Sequence, residues 1–242
     1  MQIHADFDRR VLLHGAAMPW VDSPVPGVER RMLDRIGGEV ARATSLVRYA
    51  PGSHFSPHTH GGGEEFLVLE GVFQDEHGDF PAGAYVRNPP TSQHTPRSDA
   101  GCIIFVKLWQ FDAADRTPVM LDTNKIGRVL EAGRPGVAVS TLFEDARETV
   151  RIETWQAGAH VEVDATDGAE LLVLTGGFSD TADLLQPMSW LRLPRGGRLS
   201  AVAGPQGARV WIKTRHLRFV ASPPGCGGDG GVKLTRAHPL PR

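Results

Sequence analysis

Two histidines and an acid fall within seven residues in the segment Gly52-Ser-His-Phe-Ser-Pro-His58-Thr-His60-Gly-Gly-Gly-Glu64, and a further histidine, His94, follows 34 residues after His60. Imidazole and carboxylate at this spacing suit a metal site. A mixed nitrogen and oxygen donor set suits Fe(II), Mn(II), Ni(II) or Zn(II). It disfavours Cu(I) and iron–sulfur clusters, which take thiolates. The chain has only two cysteines, Cys102 and Cys226, far apart in sequence, so neither a disulfide framework nor a thiolate zinc site is expected.

The flanking pattern reads as strands that position these groups. Residues i and i+2 of a strand share a face, so His58 and His60 project together. The Gly61-Gly62-Gly63 run allows a tight reversal, because glycine tolerates positive φ. The apolar run 66–69 then reads as a return strand that brings Glu64 back toward the imidazoles. Adjacent strand residues face opposite sides, which leaves Glu65 as an alternative to Glu64. Further short runs rich in Val, Ile, Leu and aromatics stand at 30–34, 43–49, 65–70, 84–87, 102–110, 137–143, 149–156, 171–175, 190–193 and 209–215, separated by Gly/Pro turns. No long amphipathic helix is evident, so the expected class is an all-β sandwich or barrel.

Composition sets the outer bounds. The 242 residues are 40% hydrophobic and 22% charged, as in an ordinary globular protein. A formal net charge of −2 without a basic stripe argues against nucleic acid as a partner. The N-terminus carries no signal-peptide pattern and no 18-residue apolar run exists, so neither export nor a membrane partner is expected and a cytoplasmic location is the default.

An internal repeat organises the chain. The block Glu64–Gly71 aligns with Glu170–Gly177 at an offset of 106, which equates Glu64 with Glu170, and Gly52 aligns with Gly158. Arg87-Asn-Pro-Pro pairs with Arg192-Leu-Pro-Arg, Phe105-Val-Lys with Trp211-Ile-Lys, and Pro26-Gly-Val with Pro135-Gly-Val. Two copies of one β domain are therefore expected, at 1–115 and 116–220, followed by a flexible tail at 221–242. At the same offset His58 becomes Asp164, His60 becomes Thr166 and His94 falls near Leu199, so the second copy is expected to keep Glu170 and lose at least three of four ligands. His160 does not restore the spacing.

The first block resembles a known family. Gly52 to Gly71 matches the first cupin motif, G-x5-H-x-H-x3-E-x6-G, at every fixed position. The second motif, G-x5-P-x-G-x2-H-x3-N, is met by Gly83, Pro89 and His94, with Thr91 in place of the middle Gly and Ser98 in place of the Asn. The run 55–96 resembles the cupin domain of ChrR-type anti-sigma factors, and the close resemblance spans about residues 44–110. It implies two tandem cupin (jelly-roll) barrels, the second degenerate. It also implies one divalent metal ion, typically zinc in that family, held by His58, His60, Glu64 and His94. The helical zinc domain that grips the sigma factor has no cysteine counterpart before Cys102, so anti-sigma activity is not carried over.

Four protein ligands on an octahedral ion leave two positions for water, a bidentate substrate or O2, whereas on tetrahedral zinc they close the shell. The leading expectation is a mononuclear Fe(II)-type dioxygenase or related metalloenzyme acting on a small molecule. The alternatives are a ChrR-like sensor or regulatory cupin that takes a small-molecule effector, and a non-redox Zn or Mn hydrolase or isomerase. A monomer or simple homodimer is expected. Arg87 and Lys107 are read as anchors for an anionic substrate or as solvated charges. Phe66, Phe73, Tyr85, Phe105 and Trp109 are read as core, Cys102 as a small buried hydrophobe, and His4, His14, His54, His77 and His216 as surface or satisfied core residues.

Overall fold

The computed structural model describes residues 1–38, 40–221 and 223. The expected tail, apart from Ala221 and Pro223, lies outside the described residues, as does Cys226. Among the described residues there is no α-helix, only the 3-10 turns Gly15–Ala17 and His216–Phe219. No helix is long and apolar enough to cross a membrane. The strands form an eleven-stranded sheet, a nine-stranded sheet and a two-stranded ribbon, all paired antiparallel. The chain is thus all-β, built as two tandem barrels.

In the first barrel the neighbours run Gln2–Ile3, Val28–Gly37, Ala41–Tyr49, Cys102–Leu108, Glu64–Asp75, Ala84–Asn88 and Val119–Asp122. In the second they run Val129–Leu130, Val137–Glu144, Thr149–Trp155, Gly197–Thr214, Ala169–Ser179, Ser189–Leu193 and Val11–His14. Each sheet ends on a strand from outside its own barrel's run of strands: one from the connector after the first barrel, the other from the N-terminal segment. Val119–Asp122 pairs with Ala84–Asn88, and Val11–His14 pairs with Ser189–Leu193. This exchange covers backbone edges that would otherwise offer unpaired N–H and C=O groups.

Many strands are apolar on both faces, because each sheet lines a barrel on one side and meets the other barrel on its reverse. Phe66, Val68, Phe73, Phe80, Val86 and Ile104 fill the first barrel. Leu171, Val173, Phe178, Leu191, Leu199 and Val210 are among those filling the second. Leu67, Tyr85 and Phe105 point the other way, onto Leu172, Trp190 and Trp211 of the second barrel. The rings of Phe105 and Trp211 meet edge to face at 4.9 Å between centroids, a favourable arrangement for buried aromatics.

This interface also buries charge. Arg87 and Lys107, read from the sequence as substrate anchors or solvated charges, are 1% and 0% exposed. Lys107 reaches across to Glu170, and Lys213 reaches back to Glu65 at 2.5 Å. Tyr85 donates to Glu65, and Trp190 donates to Glu170. A charge this deep persists only when paired, so these residues are structural partners between barrels.

Strand pairing also corrects the repeat alignment. Glu65 lies opposite Lys107 and Arg87, as Glu170 lies opposite Lys213 and Arg192. Glu170 is therefore the counterpart of Glu65, not of Glu64, and the offset through this region is 105. The slip arises at residues 55–57. The first barrel breaks there into Ser53–His54 and His58–Thr59, whereas the second runs unbroken through His160–Ala165, one residue shorter. A one-residue slip moves every side chain to the opposite face. Asp164 and Thr166 are accordingly solvent-exposed.

Candidate metal centre

The short strand His58–Thr59 pairs with Gln93–His94, and His58 stands directly opposite His94. His60, two residues after His58, turns to the same face. Gly61–Gly63 reverses the chain, with Gly63 left-handed at φ 77°. Glu64 then opens the long strand Glu64–Asp75 on the barrel-interior face, the face of Phe66 and Val68. Trp109, itself left-handed at φ 59°, donates its N–H to Gly63 O at 3.1 Å. Its indole lies on Gly61 and Gly62, close enough that a Cβ at Gly62 would meet ring carbons at 2.3 Å. The indole was expected in the core; it instead clamps the turn between His60 and Glu64.

The three imidazoles come together, with one ligand atom of each lying within 4.8 Å of the others. His58 Nε2 and His60 Nε2 are 3.2 Å apart. Glu64 Oε2 is 3.5 Å from His60 Nε2 and 3.4 Å from His94 Nε2. Such separations are those that ligands held about 2.1 Å from one ion impose on each other. His94 Nε2 is buried without a hydrogen bond, a costly state unless a cation accepts its lone pair. The structure thus brings the four expected residues to one locus. Glu65 lies on the opposite face, bonded to Tyr85 and Lys213, and is no alternative to Glu64.

Each imidazole is oriented through its other nitrogen. His58 Nδ1 faces Ser56 O at 3.1 Å, His60 Nδ1 faces Ser92 Oγ at 3.2 Å, and His94 Nδ1 faces Asp75 Oδ2 at 3.0 Å. Asn88 Nδ2 donates to Glu64 Oε2 at 3.3 Å. Partners of this kind fix the tautomer that leaves Nε2 available as a ligand. Burial, reinforced by His94 and His58 against the opposing charge of Glu64, holds the His60 pKa below its ordinary value and so keeps the ring neutral. Burial acts the same way on His94, but the hydrogen bond to Asp75 and the charge of Glu64 outweigh it and raise the pKa. His60 and His94 are buried while His58 is half-exposed, so the locus meets solvent on the His58 side.

Asp75, Ser92 and Asn88 were not legible as site residues. Asp75 is an odd number of positions after Glu64 and would face the other way on a regular strand. A bulge that leaves Leu69 unpaired shifts the phase and turns Phe73 and Asp75 inward. The other histidines singled out in the sequence are ordinary: His4 contacts Leu33 O, His14 contacts Ser189 Oγ, His54 and His77 are exposed, and buried His216 contacts Glu170.

In the second barrel, positions 58, 60, 64 and 94 correspond to Val163, Ala165, Ala169 and Leu199. Val163 lies opposite Leu199 as His58 lies opposite His94. All four are at most 2% exposed and belong to one apolar core. All four ligand positions are therefore lost, including the one expected to survive as Glu170, and hydrocarbon fills their space.

Comparison with known proteins agrees with this architecture. Residues 8–112 match the model of the ChrR Cupin-like domain. No curated protein matches the chain. Among solved structures, a protein of Nostoc punctiforme PCC 73102 provisionally called a dioxygenase superposes with a TM-score of 0.71 at 13% identity, covering 89% of this chain and 86% of that one. The pirin YhhW of Escherichia coli, solved with nickel(II), gives 0.62 at 13% identity, covering 85% and 99%. An oxalate decarboxylase gives 0.60 at 10% identity, covering 86% and 78%. At these identities the likeness is one of fold. The fold is that of two tandem cupin barrels, and residues 8–112, most of the first barrel, are similar to the ChrR Cupin-like domain.

Proposed function

We propose that the chain is a mononuclear metal cupin enzyme, with one divalent ion held by His58, His60, Glu64 and His94 in the first barrel and a small molecule as substrate. The observation that carries this reading is the convergence of three Nε2 atoms and one carboxylate oxygen whose outer partners leave those atoms unused. The half-exposed His58 marks the side from which a substrate approaches. Phe55 and Phe73, whose rings lie 5.9 and 5.8 Å from those of His58 and His94, supply an apolar wall that excludes bulk water. A bound ion of the Fe(II) type would polarise the substrate and bring it together with O2, which makes a dioxygenase the favoured activity. Glu64 supplies the negative charge that balances the ion, and Asp75 holds the His94 Nδ1 proton so that Nε2 faces inward.

A second reading has its own support. The match of residues 8–112 to the ChrR Cupin-like domain favours a regulatory cupin in which the same four ligands form a closed zinc site. Anaerobic loading with Fe(II), followed by oxygen-uptake screening against small diketones, phenols and thiols, separates the two. Uptake that disappears in His94→Ala supports the enzyme. A tightly held zinc ion without an exchangeable position, and no uptake with any class, overturns it in favour of the regulator or a non-redox enzyme.

A further inference from the structure

The two residues flanking Glu64 in sequence are both pinned by groups that reach the second barrel. On one side, Phe111 covers Gly63 so closely that a Cβ there would meet ring carbons at 2.4 Å. The Phe111 ring carries the Arg87 guanidinium at 4.3 Å, and that guanidinium also lies 3.7 Å from the Phe143 ring centroid of the second barrel. On the other side, Glu65 is bonded by Lys213, which also holds Glu148 at 2.8 Å. Arg87 closes the circuit by bonding Glu148 and lying 3.6 Å from Glu65. Arg87 and Lys213 are 1% or less exposed and Glu65 is 2% exposed, so there is no solvent to replace a lost partner.

We infer that the second barrel, which carries no ligand of its own, positions the carboxylate of Glu64 for the metal, with Lys213 and Phe143 as the positioning residues. The inference rests on the metal-centre reading given above. Glu64 leaves the strand between two fixed neighbours, so its carboxylate meets the imidazoles without paying for alignment when an ion arrives. The fold supplies its own control. Lys107 makes the mirror-image crossing, from the first barrel to Glu170, and Glu170 follows Ala169, where there is no ligand to position.

The test measures Co(II) affinity and the visible absorption of the Co(II) form in the full chain, alongside the thermal midpoint of the metal-free protein. Lys213→Met and Phe143→Leu are expected to weaken Co(II) binding about tenfold and shift its absorption bands. Lys107→Met is expected to bind within about twofold of the parent while losing comparable thermal stability. Unchanged affinity and bands in Lys213→Met and Phe143→Leu overturn the inference, as does equal weakening in all three variants, which signals general softening. If the excess acidic charge left by Lys213→Met, with Glu65 and Glu148 sharing Arg87 alone, prevents folding, Phe143→Leu decides alone, because it leaves every charge in place. A parent chain that takes up no Co(II) refutes the metal centre itself, and this inference with it.

Discussion

At the scale of single residues, the site divides each imidazole into an anchoring nitrogen and one left free for the proposed ion. His58, His60 and His94 spend Nδ1 on Ser56 O, Ser92 and Asp75 and aim Nε2 at one another and at Glu64. The His-x-His spacing made the ligands legible, because alternation alone puts His58 and His60 on one face. The anchors were not legible, since Asp75 reaches the site only after a bulge and Ser92 only through a turn. Asp75→Asn is expected to lower metal affinity about 10- to 100-fold while leaving the fold intact, as measured by Mn(II) titration and far-UV circular dichroism. Metal binding must also displace protons. Because Asp75 and Glu64 outweigh burial and raise the His94 pKa above its ordinary value, a proton competes for this ring more strongly than for an ordinary histidine. Affinity should therefore rise as pH increases through and above the normal histidine range. An affinity that does not change between about pH 6 and 8 would show that His94 is not a ligand.

At the scale of elements, two turns set the ligand geometry. One is the Gly61–Gly63 reversal beneath Trp109. Gly62→Ala forces a methyl into the indole and should cost about 1–3 kcal/mol of stability, with weaker metal binding because His60 and Glu64 flank the turn. The other precedes His94. Thr91 stands where the cupin motif has glycine, and it adopts φ 77°, a conformation that β-branched residues seldom take. Thr91 thus holds the turn in a strained backbone conformation. Thr91→Gly should therefore raise stability by about 0.5–1 kcal/mol in denaturant unfolding; a loss would show that the threonine side chain stabilises the turn. The repeat shows where element-level reading failed. Its blocks were visible, but the break at 55–57 hides a one-residue slip. That slip directed attention to exposed Asp164 and Thr166 instead of buried Val163 and Ala165.

At the scale of the molecule, the barrels share one core and one ion network. The pairing of Glu65 with Lys213 and of Glu170 with Lys107 could not be read from sequence, because the partners lie on different repeats and become neighbours only when the sheets pack. Burial alone would raise the Glu65 pKa, but the charges of Lys213 and Arg87 bring it down to about 2. A carboxyl with a folded value below its unfolded one stabilises the fold above the unfolded value, and that stability is lost as the pH falls toward the folded one. Denaturant unfolding of the metal-free chain should therefore lose on the order of 2–3 kcal/mol between about pH 5 and 2, and the loss should shrink in Glu65→Gln. The second barrel, with hydrocarbon at every ligand position, shows that this fold stands without a metal. The four polar residues that meet in the first barrel are therefore not a requirement of the fold, which fits the proposed metal centre. The most direct test is metal content per chain after equilibrium dialysis against Mn(II), compared between the parent and His60→Ala/His94→Ala. One ion in the parent and none in the variant is the predicted result. No ion in the parent, or an undiminished ion in the variant, would contradict the assignment of the centre.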